Sequence, residues 1–189
     1  MRNLRQALVA MAVLAAALAI GATMNKSVPV SPAHYETATL AGGCFWGLQE
    51  TLRQIPGVIK TTAGYTGGTM PNPTYEQVAG GKTGHTEAVE VIFDPAKLSY
   101  GKLLEDFLTA GIPARLATST DNPHRPAIFY HNEDQRQTAG RVEDKINQSG
   151  KWNSPFITEI TQAVKFYPAE EYHQDYYRKT SAARTCSLE

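Results

Sequence analysis

The stretch HTEAVEVIFDP, residues 85–95, constrains the fold most. Its alternation puts Glu87, Val89, Val91 and Phe93 on one face of a strand and Thr86, Ala88, Glu90 and Ile92 on the other. A strand with that much apolar surface on one face needs a covering layer, and the flanking segments supply it. Phe45, Leu48 and Leu52 recur at helical spacing until Pro56-Gly57. Ser99 can cap a helix whose Leu103, Leu104, Phe107 and Leu108 form one stripe, ended by Gly111. Asn132, followed by Glu133 and Asp134, opens a helix carrying Ala139, Val142 and Ile146 on one side and closing at Gly150. Further strands are expected over 35–43, 57–68, 125–131 and 156–166. A long glycine- and proline-rich loop is expected over 66–84, and a short tyrosine-rich helix starting at Pro168. The order β-α-β-β-α-β, then α-β-α, predicts an α+β fold: a two-layer α/β sandwich with a split-βαβ, ferredoxin-like core, an antiparallel or mixed sheet, and helices on one face.

The N-terminus reads as an export signal. Arg2 and Arg5 precede an apolar run from Ala7 to Ile20, followed by Gly21 and Ala22. The run is shorter than the roughly 20 residues of a membrane span, although an uncleaved anchor of marginal length is the alternative. Cleavage is expected near Ala22. That divides the chain into a signal peptide (1–22), a linker (23–36), one folded domain (37–180) and a flexible tail (181–189), with a periplasmic location expected. The chain has 18 Lys+Arg and 18 Asp+Glu. Loss of Arg2 and Arg5 would leave about −2, which offers no basic field for nucleic acid and none for a stable hold on an anionic membrane. Nothing in the sequence asks for more than a monomer.

The cysteines are Cys44 and Cys186, and in an exported chain one structural disulfide is the plain reading. The surroundings of Cys44 argue for chemistry as well. Gly42 and Gly43 precede it, Phe45 and Trp46 follow, and it falls where a strand ends and a helix begins. Unpaired N–H groups and the dipole at a helix start favour a thiolate over a thiol. Glu87 shares its face with three large apolar residues. A carboxyl group so placed loses hydration of its charged form and can donate a proton, unless it leans into solvent at the strand end. His34, His85, His131 and His173 read as linker, strand start, strand end and helix packing, and His124 as a proline-flanked loop residue or a hydrogen-bond donor. No spacing of His, Cys, Asp or Glu indicates a metal, and no cofactor is called for.

GGCFWG (42–47), GYTGG (64–68), PNPTYEQV (71–78), GHTEAVEVIFDP (84–95) and FYPAEEYHQDYY (166–177) resemble, in order, segments of the A-class peptide methionine sulfoxide reductases. The resemblance runs from about Thr37 to Lys179. It implies reduction of S-epimer methionine sulfoxide, in oxidised proteins, peptides or the free amino acid. Cys44 would be the nucleophile, Glu87 the acid that protonates the sulfoxide oxygen and Tyr75 a hydroxyl partner of that oxygen, with Phe45 and Trp46 walling a pocket for the S-methyl group. It further implies a sulfenic acid on Cys44, resolution by Cys186 as a disulfide, and a thioredoxin-like electron donor. The segment 108–130 departs from the family by being about three residues shorter. His124 then stands where the family has a second active-site tyrosine, and Ser119 or Asp121 where it has an aspartate. Two other readings remain open: a Cys-His hydrolase or transferase using Cys44 with His85 or His124, and a paralogue that binds methionine sulfoxide without turning it over.

Overall fold

A computed structural model describes residues 34–110, 121–150 and 158–180. Its strands are β1 (Glu36–Ala41), β2 (Val58–Thr66), β3 (Thr86–Phe93), β4 (Ala127–Tyr130), β5 (Glu159–Gln162) and β6 (Tyr167–Pro168). Its helices are α1 (Phe45–Leu52), α2 (Tyr75–Ala79), α3 (Tyr100–Thr109), α4 (Glu133–Gln148) and α5 (Tyr176–Thr180), with a 3₁₀ turn at Glu171–His173. The sheet order is β5-β4-β1-β3-β2-β6. The central β4-β1-β3-β2 run is antiparallel throughout, the split-βαβ core expected; β5 joins β4 in parallel and makes the sheet mixed.

The alternation in β3 sorts the two faces as the sequence predicts. Val89, Val91 and Phe93 join Ala38 and Leu40 of β1, Ala63 and Tyr65 of β2 and Ile128 of β4 in one buried cluster with Leu48, Leu52, Leu103, Leu104, Phe107, Ala139, Val142 and Ile146 from the helices. The other face is smaller: Ala41, Ala88, Ala127 and Phe129, packed by Ala163 and Phe166. Ser99 and Asn132 cap α3 and α4, their side chains accepting from the amides of Lys102 and Gln135.

Three local expectations are corrected. The 66–84 loop contains α2, begun by a capping box in which the Thr74 hydroxyl accepts from the Gln77 amide and the Gln77 side chain accepts from the Thr74 amide. The expected last strand over 156–166 stops at Gln162, and a separate β6 pairs with β2 at the far edge. Pro168 ends β6 instead of starting a helix; the 3₁₀ turn and α5 follow. The signal peptide and most of the linker, Ser119, and the tail with Cys186 lie outside the described residues. Among the described residues, no helix is long and apolar enough to cross a membrane.

Gly64 is where β6 presses closest. A Cβ there would overlap the Phe166 ring and the Tyr167 carbonyl oxygen. Gly64→Ala is expected to destabilise the protein by about 1–3 kcal/mol, the cost of overpacking, as measured by denaturant unfolding. The loss of amide-exchange protection should be greatest at Tyr65 and Tyr167.

Candidate active site

Cys44 sits half-buried at the N-cap of α1, with no side-chain cap bond of its own. Gly43 before it has φ 83°, a left-handed conformation glycine tolerates best, and its amide donates to the carbonyl of His124 at 3.1 Å. The amide after it, that of Phe45, donates to Oε2 of Glu87 at 2.9 Å. Glu87 is buried, with 3% of its side chain exposed, so the solvent-leaning alternative is overturned. Its own amide donates to the carbonyl of Pro123 at 2.7 Å. The acid is therefore tied to the first peptide of the helix that Cys44 heads, and the turn carrying His124 is tied to both.

His124 presents Nε2 to Oε1 of Glu87 at 3.3 Å. That contact raises its pKa above the ordinary histidine value, with burial opposing. The imidazole expected as a donor toward substrate is thus directed at the acid. Asp121, at the start of the same turn, is exposed, and its carbonyl oxygen abuts Gly81.

The two aromatic residues expected to wall a pocket differ in exposure. Phe45 is fully buried, its ring centroid 5.1 Å from His173, 5.8 Å from Tyr65 and 6.3 Å from Tyr75. Trp46 is half-buried and stacks on Tyr176 at 3.9 Å, nearly parallel. Tyr75 is half-buried at the start of α2, where its amide donates to Oε1 of Glu170 while the Tyr65 hydroxyl donates to Oε2.

His173 is the residue whose role the sequence reading missed. It is buried, with its ring 4.5 Å from that of Tyr75, and its Nδ1 accepts from the indole N–H of Trp46 at 3.0 Å. That bond puts the proton of the neutral imidazole on Nε2, and burial lowers its pKa, keeping it neutral. The available signal was its spacing of three from Tyr176. His85 takes no part: Nδ1 accepts from the Gly68 amide at 3.1 Å and Nε2 faces the Met70 carbonyl at 2.8 Å, committing both ring nitrogens to the loop. His131 bonds Thr39. Among the described residues, no group of three His, Cys, Asp or Glu could hold a metal ion.

This arrangement places a sulfur at a helix start, a buried acid beside it and aromatic surface next to both. A dipolar S–O group with an apolar methyl requires that combination. The sequence model described as peptide methionine sulfoxide reductase matches residues 36–189. The chain is 49% identical over 150 residues to peptide methionine sulfoxide reductase MsrA of Listeria innocua, covering 78% of this chain and 85% of that one. It is 45% identical over 151 residues to MsrA of Streptococcus agalactiae, covering 78% and 89%. Methionine sulfoxide reductase A of Corynebacterium diphtheriae superposes with a TM-score of 0.67 at 30% identity over 82% of this chain and 78% of that one. Reduced Mxr1 of Saccharomyces cerevisiae gives 0.69 at 27% identity over 86% and 94%.

Fold and site define a thiol-dependent oxidoreductase. The chain belongs to the peptide methionine sulfoxide reductase family, and its chemistry is the reduction of methionine sulfoxide.

Replacing His173 by Phe would strand the Trp46 N–H without its acceptor. The expected effect is a loss of about 0.5–1.5 kcal/mol, the net worth of one hydrogen bond at a half-buried indole, seen in unfolding, with KM for methionine sulfoxide rising more than kcat falls.

Proposed function

We propose that this chain reduces the S epimer of methionine sulfoxide in proteins, with Cys44 as nucleophile and Glu87 as proton donor. The observation that carries the reading is the Phe45 N–H bond to Glu87: it holds a buried carboxyl group at the residue next to the attacking sulfur. The Cys44 thiolate attacks the sulfoxide sulfur. Two electrons pass to that sulfur, the oxygen ends on Cys44 as sulfenic acid, the proton on that oxygen comes from Glu87, and the thioether leaves. Tyr75 supplies a hydroxyl to the same oxygen, and Trp46 supplies apolar surface to the methyl group, with Phe45 packed behind.

Cys186 then attacks the sulfenic sulfur, giving a disulfide and water, and a thioredoxin-like dithiol reopens it. Yeast Mxr1 has been crystallised with Trx2, in keeping with such a donor. Export through residues 1–22 is part of the same proposal. A hydrolase using His85 is disfavoured because both of its ring nitrogens are already engaged.

The test is turnover of the separated S and R epimers. Only the S epimer should be reduced. Cys44→Ser should abolish methionine formation, and Glu87→Gln, which keeps an acceptor for Phe45, should lower kcat about 10²- to 10⁴-fold, the usual worth of a general acid. With a thioredoxin donor, Cys186→Ser should stop after one methionine per enzyme. Unchanged activity in Cys44→Ser would refute the assignment.

A further inference from the structure

We propose that Glu87 and His124 act as one composite acid, in which the imidazole stores the proton that the carboxyl group delivers to the sulfoxide. This rests on the reductase reading above and identifies the group that sets its pH range. The two oxygens of Glu87 have different partners. Oε2 accepts from the Phe45 amide at 2.9 Å, a bond compatible with either charge state of the acid. Oε1 faces Nε2 of His124 at 3.3 Å and is therefore the oxygen placed to take up a proton.

Exposure divides the labour. Glu87 has 3% of its side chain exposed and His124 has 42%, so the imidazole is the member of the pair in contact with water. Their approach is set by the backbone. The His124 carbonyl accepts from Gly43, the Pro123 carbonyl accepts from Glu87, and the His124 amide donates to the Asn122 side chain at 2.9 Å. Other ionisable groups around the pair are Cys44 at the head of α1, Asp121 exposed in the same turn, and Tyr65 and His173, which feel the charge of Glu87 across the site. Arg125 is drawn off to Glu159 of β5 at 3.3 Å. Glu87 is an anionic group in contact with His124, and the rise in the pKa of His124 follows from that contact.

The pair carrying one proton has two forms, imidazolium with carboxylate and imidazole with carboxylic acid, interconverted by transfer between Nε2 and Oε1. The second form reacts. Glu87 gives its proton to the oxygen leaving the substrate sulfur, His124 takes up a replacement from water, and the resulting imidazolium passes it from Nε2 to Oε1. The acid remains in use until the imidazole itself loses its proton. The alkaline fall in rate therefore belongs to His124, which its contact with Glu87 shifts upward.

The experiment uses the full chain with Cys44 reduced, mixed with an excess of S-epimer methionine sulfoxide peptide. Methionine release in the first turnover is followed against pH, in parallel with the NMR titration of ¹³C-labelled histidine. The unaltered protein should lose rate with a midpoint above the ordinary histidine value of about 6.5. His124→Gln, which can still donate to Oε1 but stores no proton, should move that midpoint down by a pH unit or more. His124→Tyr should do the same. The His124 resonance, identified by its loss in His124→Gln, should titrate above 6.5 and return toward it in Glu87→Gln. The same alkaline midpoint in His124→Gln as in the unaltered protein, or an unmoved His124 titration in Glu87→Gln, would overturn the inference while leaving the reductase reading standing. Failure of the unaltered protein to release methionine at any pH would overturn both.

Discussion

One hydrogen bond, from the Phe45 amide to the carboxyl group of Glu87, organises the site. A carboxyl group buried without partners is costly, and a bond to a charged acceptor contributes about 1.5–3 kcal/mol, so the acid and the helix start stabilise each other. The bond joins residues 42 apart in sequence, at the two places where the chain changes character: the glycines that end β1 and the glycine-rich entry to β3. The turn at 122–125 closes the arrangement from the third side. Pro123 and His124 offer their carbonyls to Glu87 and Gly43, and the Thr86 hydroxyl donates to the carbonyls of Pro123 and Arg125. Sulfur, acid and imidazole are thereby positioned through main-chain contacts, and long side chains have little to do in aiming them.

The elements that the sequence made legible are those in which one local pattern suffices. The period of two in residues 86–93, the stripes of α1, α3 and α4, and the Ser99 and Asn132 caps each speak for themselves. Helix α2 was equally encoded, since Thr74 and Gln77 are spaced as a capping box, but the surrounding glycines and prolines outweighed one short turn. The break between β5 and β6 has no such local sign. It follows from the sheet order, which puts these strands at opposite edges and sends residues 163–166 across the back face. That crossing is possible because Ala41, Ala88 and Ala127 keep the face low, a property spread over three strands and invisible in any one window.

Within the site, legibility divides along the same line. The candidacies of Cys44 and Glu87 followed from their own neighbours. Four of the five histidines could not be sorted that way, because each is defined by something distant: His85 by the loop of Gly68 and Met70, His131 by Thr39, His124 by Glu87 and His173 by Trp46. The same ring is a loop clamp in the first case and a neutral acceptor among aromatic rings in the last. Flanking residues such as Pro123 and Tyr172 identify the kind of segment, not the distant contact that settles the role.

The tyrosine-rich segment shows why such roles need the whole fold. Gln174 donates to the carbonyls of Ala63 and Ala169 and accepts from the Ala63 amide, so it clips the 3₁₀ turn to β2. The side-chain oxygen of Gln49 accepts from the amide of Asp175, which takes a left-handed φ of 51°, and so fastens the same segment to α1. With both ends pinned, His173 and Tyr176 fall on either side of Trp46, one taking its N–H and the other covering its face. These clips are neutral amides, so they hold the aromatic wall without adding charge beside Cys44. The helix start that Cys44 heads and the buried Glu87 bonded to its first peptide contribute to the local field there.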